Sequence, residues 1–255
     1  MLHWAAMGID ELWLQASLNA VVQDQQVGVG QEPVSDPVAR VDALFRGWAV
    51  GFAAERADVE TATFTVGSRG WHPDECAALL RGLDARRLHV DSAGYAWPLC
   101  AEPKPGQGRY ALCCRSARGV TVNQEYLIQL GAVAELNQLH GWPSERLRVE
   151  LGEFDAAALD DSGTSVLLME AKCRAAGPSS SADTLEKLLR SWLRYARDGA
   201  PVRGTNAANK YLYLRDRVID GPVIVLLVAA GARWWLRATR WDDAVVFEEA
   251  SPLDY

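Results

Sequence analysis

Apolar positions recur along the chain at two spacings, and the spacings divide it. In the first 118 residues the period is mainly helical. Residues 36–57 carry apolar side chains three and four apart behind Pro37, which favours a helix start. A second helix begins near His72-Pro73-Asp74 and carries Ala77, Leu79, Leu80 and Leu83. Short strand-like pieces follow at Leu88–Val90 and Tyr110–Cys114, separated by the turn-rich loop Glu102–Gly108.

From residue 119 onward the pattern changes. Val122–Leu139 reads as a helix ended by Gly141-Trp-Pro143. Arg146–Glu150 alternates as a strand, Phe154–Leu159 is a second, and Asp160–Gly163 is a hairpin turn. Ser165–Cys173 is a strongly apolar third strand. Pro178–Ala182 reads as a loop, and Asp183 is placed to cap a helix through about Arg197. Tyr211–Leu214 and Val223–Ala230 read as strands, and Arg233–Ala238 pairs with the latter through the turn Ala230-Gly231-Ala232. The order is helix, three strands, helix, strand. Short connections make the three strands an antiparallel meander, to which the later strand adds by a crossover. The expected fold class is therefore α/β: an α+β region over 1–118 and a second domain over 119–255.

Composition narrows the function. The 255 residues are 49% hydrophobic and 23% charged, which is globular and excludes disordered, collagenous and coiled-coil chains. A net charge of −7 argues against binding nucleic acid through overall charge, though not through a local basic surface. Five cysteines, an odd count without a CxxC pair, argue against a disulfide framework or zinc knuckle and read as reduced thiols. The start has no basic segment before Asp10 and Glu11. The longest apolar stretch, Val223–Ala232, falls far short of the roughly 20 residues a membrane helix needs. A cytoplasmic protein with no membrane partner is expected. Gly28-Val-Gly30 lacks the following glycine spacing of a phosphate cradle and reads as a loop. His3, His72, His89 and His140 lack ligand spacing, and no GxSxG elbow occurs. Trp234 and Trp235 on one strand must point to opposite faces.

The third strand carries the chemistry. Val166, Leu168, Glu170 and Lys172 share one face; Leu167, Met169, Ala171 and Cys173 share the other. An acid and a lysine at the end of a buried strand are expensive without partners. Asp155 starts the preceding strand, so antiparallel pairing brings it beside Glu170. Two carboxylates suit magnesium or manganese, which take oxygen ligands. A hard cation beside Lys172 suits an anionic substrate, most naturally a phosphodiester.

The stretch Gly152-Glu-Phe-Asp155, a hairpin, then Val166-Leu-Leu-Met-Glu-Ala-Lys172 resembles the PD-(D/E)xK nuclease superfamily. The resemblance covers roughly residues 120–230. It implies a restriction-endonuclease-like core of a helix, a three-strand meander, a helix and a strand. It makes Asp155 and Glu170 ligands of Mg2+ (or Mn2+) and Lys172 the catalytic lysine. Members often add an acid from the first core helix. Glu125 fits, on a stripe with Ile128, Ala132, Leu136 and Leu139, and Glu135 is its rival. As a first-turn acid, Glu125 is equally explained by the helix dipole. Phe154 replaces the motif's proline. The QxxxY spacing of some members meets Ser191-Trp-Leu-Arg-Tyr195, without the glutamine. Lys187, Arg190 and Arg194 are candidates for comparable phosphate contacts.

Charge distribution agrees. Thr121–Ala171 holds nine acids and two bases, whereas Lys172–Arg217 holds ten bases and four acids. The expected activity is metal-dependent phosphodiester hydrolysis on nucleic acid, with DNA favoured. The first 118 residues would confer specificity or bind a protein partner. Two alternatives are a catalytically inactive module of the same fold that binds nucleic acid or protein, and an assembly partner acting through the first region.

Overall fold

The computed structural model describes residues 10–24, 36–59, 61–67, 70–177 and 183–252. His3 and the expected loops at Gly28–Gly30 and Pro178–Ala182 lie outside the described residues. In chain order the elements are α1 (Glu11–Asp24), α2 (Pro37–Ala54), β1 (Phe64–Thr65), α3 (Pro73–Asp84), β2 (Leu88–Val90), β3 (Tyr95–Pro98), β4 (Tyr110–Ala111), β5 (Cys113–Ser116) and β6 (Gly119–Val122). Then come α4 (Gln124–Gln138), β7 (Leu147–Leu151), β8 (Phe154–Leu159), β9 (Ser165–Ala171), α5 (Leu185–Asp198), α6 (Asn206–Arg217), β10 (Val223–Ala229), β11 (Ala232–Trp241) and β12 (Ala244–Glu249). The class is mixed α/β, with six α-helices and three sheets among the described residues.

The chain forms two compact units: the stretch from α2 to Val149, and α1 together with the chain from Glu150 onward. The division thus falls at Val149/Glu150 rather than near 118/119, and α1 joins the later unit. In the α2-to-Val149 unit, Asp36 caps α2 by accepting from the Val38 N–H, with Pro37 in the first turn. That helix buries Val41, Phe45, Trp48 and Phe52. The helix expected to open the second domain, α4, packs against α3 instead. Small residues let the two backbones approach: a Cβ on Gly131 would lie 3.2 Å from Ala78 Cβ. The small sheets β1-β6-β5 and β2-β3-β4 complete this unit. The single strand expected at 110–114 is split in two at Leu112.

The later unit is built on the sheet β12-β11-β10-β9-β8-β7, with the division between units falling inside β7. Strand β9 pairs antiparallel with β8 and parallel with β10. A parallel neighbour needs a long crossover, and α5 with α6 supplies it. Thr184 caps α5 by accepting from the Lys187 N–H, so Asp183 is not the cap expected. Thr205 caps α6 in the same way through the Ala208 N–H. Tyr211–Leu214, expected as a strand, lies inside α6. Tyr211 and Leu214 are three apart and both enter the core, and the Tyr211 hydroxyl accepts from the Val245 N–H at 3.1 Å. The helix-covered face of the sheet buries Leu168, Val225, Leu227, Leu236 and Phe247 against Leu189 and Trp192 of α5. Burying each such side chain is worth roughly 1.5–3 kcal/mol, which offsets the cost of charges placed nearby. Leu14 and Leu18 of α1 add to this core, and Trp13 Nε1 donates to Glu249 at 3.1 Å.

One glycine is required by position. Gly152, in the tight β7–β8 turn, has φ +61°, and a Cβ there would lie 2.5 Å from the Tyr213 ring of α6.

Candidate functional site at the end of β9

Strands β8 and β9 deliver the three residues singled out in the sequence. Ala156 opposes Met169, so the position before it, Asp155, falls beside Glu170. Asp155 Oδ2 accepts a 2.7 Å hydrogen bond from the Ala171 N–H, which fixes the carboxylate against the strand end. Lys172 lies just beyond β9, but its N–H still donates to the Val228 carbonyl at 2.8 Å and keeps it in line. Alternation therefore puts Glu170 and Lys172 on the face of Leu168, toward α5 and α6.

There Glu170 is wholly buried at 0% exposure, Lys172 is 4% exposed and Lys210 5%. Lys172 Nζ lies 2.7 Å from Glu170 Oε1 and 3.2 Å from Asp183 Oδ2. Lys210, projecting from α6, places its Nζ 2.7 Å from Glu170 Oε2. It also donates to the Glu153 carbonyl, and its ammonium sits 5.2 Å from the centre of the Phe154 ring. Both ammoniums thus stand at ion-pair distance from the Glu170 carboxylate. Burial, and then the negative charge of Asp155, push the Glu170 carboxyl up to about 7 against the opposing pull of Lys210 and Lys172.

Among the described residues, no three His, Cys, Asp or Glu side chains are arranged to hold a metal ion. The donors gathered here are two carboxylates. As hard oxygens they suit a divalent cation, and those of Glu170 are buried and face the lysine ammoniums. Glu125 lies in the first turn of α4, in the unit that ends at Val149. Glu135, its rival, is paired with Arg81 of α3.

The basic side chains of α5 divide. Arg190 is paired with Glu186 and with Glu11 of α1, so acids already compensate its charge. Arg194 is exposed, beside the Tyr195 ring. Lys187 is half-buried. Of the three candidates for phosphate contacts, Arg194 is the exposed one.

Sequence reasoning missed Lys210 and Asp183 as members of the cluster. Asp183 has the look of a helix cap, and the strand-like run Tyr211–Leu214 disguises the helix that carries Lys210. The signal was present: Thr205 is a good cap, and Ala207, Tyr211, Leu214 and Val218 follow at helical spacing. The five cysteines are free thiols, and burial raises Cys76 and Cys113 to about 12, which leaves them unreactive as nucleophiles. Among the described residues no helix is long and apolar enough to cross a membrane. No family model, no curated protein and no solved structure matches the chain.

Proposed function

We propose that the sheet unit is a nuclease-like catalytic domain of the PD-(D/E)xK kind, hydrolysing phosphodiester bonds in DNA with Mg2+ or Mn2+. The observation that carries this reading is the convergence of Asp155, Glu170 and Lys172 at one end of a buried central strand. Strand order supports a restriction-endonuclease-like core: β7, β8 and β9 run consecutively, and a helical crossover leads to a parallel β10. The additions are α6, β11 and β12, and α4 departs from the pattern by belonging to the other unit.

In this reading Asp155 and Glu170 hold the cation. A bound cation would lower the pKa of its water and offset charge developing on the phosphate. The chain's own residues do the rest. The Ala171 N–H orients the Asp155 carboxylate. Lys172, steadied between Glu170 and Asp183, presents a positive charge to a phosphate oxygen or to the attacking water. Burial strengthens each of these attractions by excluding bulk water. Exposed Arg194 and Arg203, from the basic segment, offer contacts to the DNA backbone.

The test is cleavage of plasmid, linear duplex and single-stranded substrates with Mg2+ or Mn2+. Cleavage should require the metal, and Lys172→Ala should lower its rate roughly 10²–10⁴-fold, the range for a group that handles a proton in the reaction. Intact substrates under all conditions, or equal rates for both proteins, would refute the reading. A second reading is a catalytically silent module of this fold, favoured by one observation: lysine ammoniums already hold both oxygens of Glu170. Such a module would bind DNA with a steep salt dependence and no response to metal.

A further inference from the structure

We infer that Lys210 is a built-in counter-cation that occupies the Oε2 edge of Glu170, and that a divalent ion enters this site by displacing it. The inference rests on the reading of Glu170 as a metal ligand, and it concerns how that ligand is kept until metal arrives.

The first argument is spatial. Lys210 Nζ stands 2.7 Å from Glu170 Oε2. A divalent ion sits about 2.0–2.6 Å from its ligand oxygens. Both cations would therefore draw on the same oxygen, where two positive charges at such short range repel each other.

The second argument is charge balance. With Glu170 ionised, the described residues of the cluster give three acids, Asp155, Glu170 and Asp183, against two ammoniums, Lys172 and Lys210. A dication added beside both lysines leaves an excess of one positive charge. A dication that takes the place of Lys210 matches three negative charges with three positive. Because uncompensated charge is costly where Glu170 is wholly buried, exchange is the favoured route.

The third argument is which lysine yields. Lys172 is held by a second carboxylate, Asp183. Among the described residues, Glu170 is the only carboxylate paired with Lys210. Lys210 also has somewhere to go, because the Glu153 carbonyl and the face of the Phe154 ring already touch its ammonium. Displacement can leave it partnered at the start of β8.

The test is a Mn2+ titration of the metal-free full chain, followed by calorimetry and by the electron paramagnetic resonance of free Mn2+. Wild type is compared with Lys210→Met, which keeps the buried stem and removes the charge, and with Lys210→Arg, which keeps the charge. Lys210→Met should bind Mn2+ at least about tenfold more tightly than wild type, because a repelling ammonium is gone. Lys210→Arg should bind no more tightly than wild type. Thermal melts report whether each variant is folded, and Lys210→Gln replaces Lys210→Met should the latter not fold without metal. Binding by the neutral variant that is equal to wild type, weaker, or absent overturns the inference. Cleavage assays separate this from the reading beneath it. Tighter Mn2+ binding without any cleavage would sustain the exchange and remove the nuclease reading. Metal-dependent cleavage by wild type without tighter binding by the neutral variant would do the reverse.

Discussion

In the unit that ends at Val149, Arg40 meets Asp84 with side chains 46% and 54% exposed, and Arg46 meets Asp42 at 2.6 Å along one helix. In the sheet unit, Glu170 meets Lys172 and Lys210 beneath two helices, with side chains 0%, 5% and 6% exposed. The same chemistry has opposite effects. The hydrogen bond from Arg40 holds the Asp84 carboxyl below its ordinary range, whereas burial pushes that of Glu170 up. Exposed pairs contribute little because water screens them and long side chains lose freedom in forming them. A buried cluster costs desolvation that attraction only partly returns. Perturbed carboxyls of this kind concentrate at functional sites, which is the ground for the catalytic reading proposed above.

The contrast can be broken at its strongest point. Glu170→Ala deprives two buried ammoniums of the carboxylate they share, and it should cost about 3–5 kcal/mol in urea unfolding. A loss no larger than that of a surface substitution would show that water reaches the cluster. Next in size is a pH effect. The Glu170 carboxyl moves from 4.5 to about 7 on folding, so between those values the folded chain holds a proton that the unfolded chain releases. The stability of wild type relative to Glu170→Gln should therefore be greatest below pH 4.5. It should fall through the window up to about pH 7 by a few kcal/mol and then level off. A flat difference across that window would mean that Glu170 is ionised throughout. Smallest is Arg40→Ala, which should hardly move the urea midpoint, and less still at high salt.

Much of the sheet unit was legible because its signals are local. Phe154–Leu159 was read to the residue, and the two-residue alternation in Ser165–Cys173 placed Glu170 and Lys172 on one face before any geometry was known. Asp155 followed from pairing across a hairpin whose turn, Asp160–Gly163, announces itself. What escaped depended on distant partners. Tyr211–Leu214 is too short an apolar run to show its own period, and only Thr205 and Ala207 upstream reveal the helix. Helix α1 owes its place to Trp234 and Glu249, more than 200 residues away in sequence. Glu125 lies on a well-predicted helix, but no local pattern told which unit that helix would join. Arg190 reads as available for phosphate because Glu11, which pairs with it, lies far away in sequence.

The bond from the Ala171 N–H to Asp155 has a bearing on how the acid should be probed. It continues the β8–β9 ladder one rung past the last residue pair, so the carboxylate serves as a piece of sheet as well as a charge. Alanine at 155 would remove both at once and leave an unsatisfied amide at the mouth of the cluster. Asparagine preserves the rung while deleting the charge, and comparing the two isosteric and non-isosteric replacements divides the architecture of this acid from its reactivity.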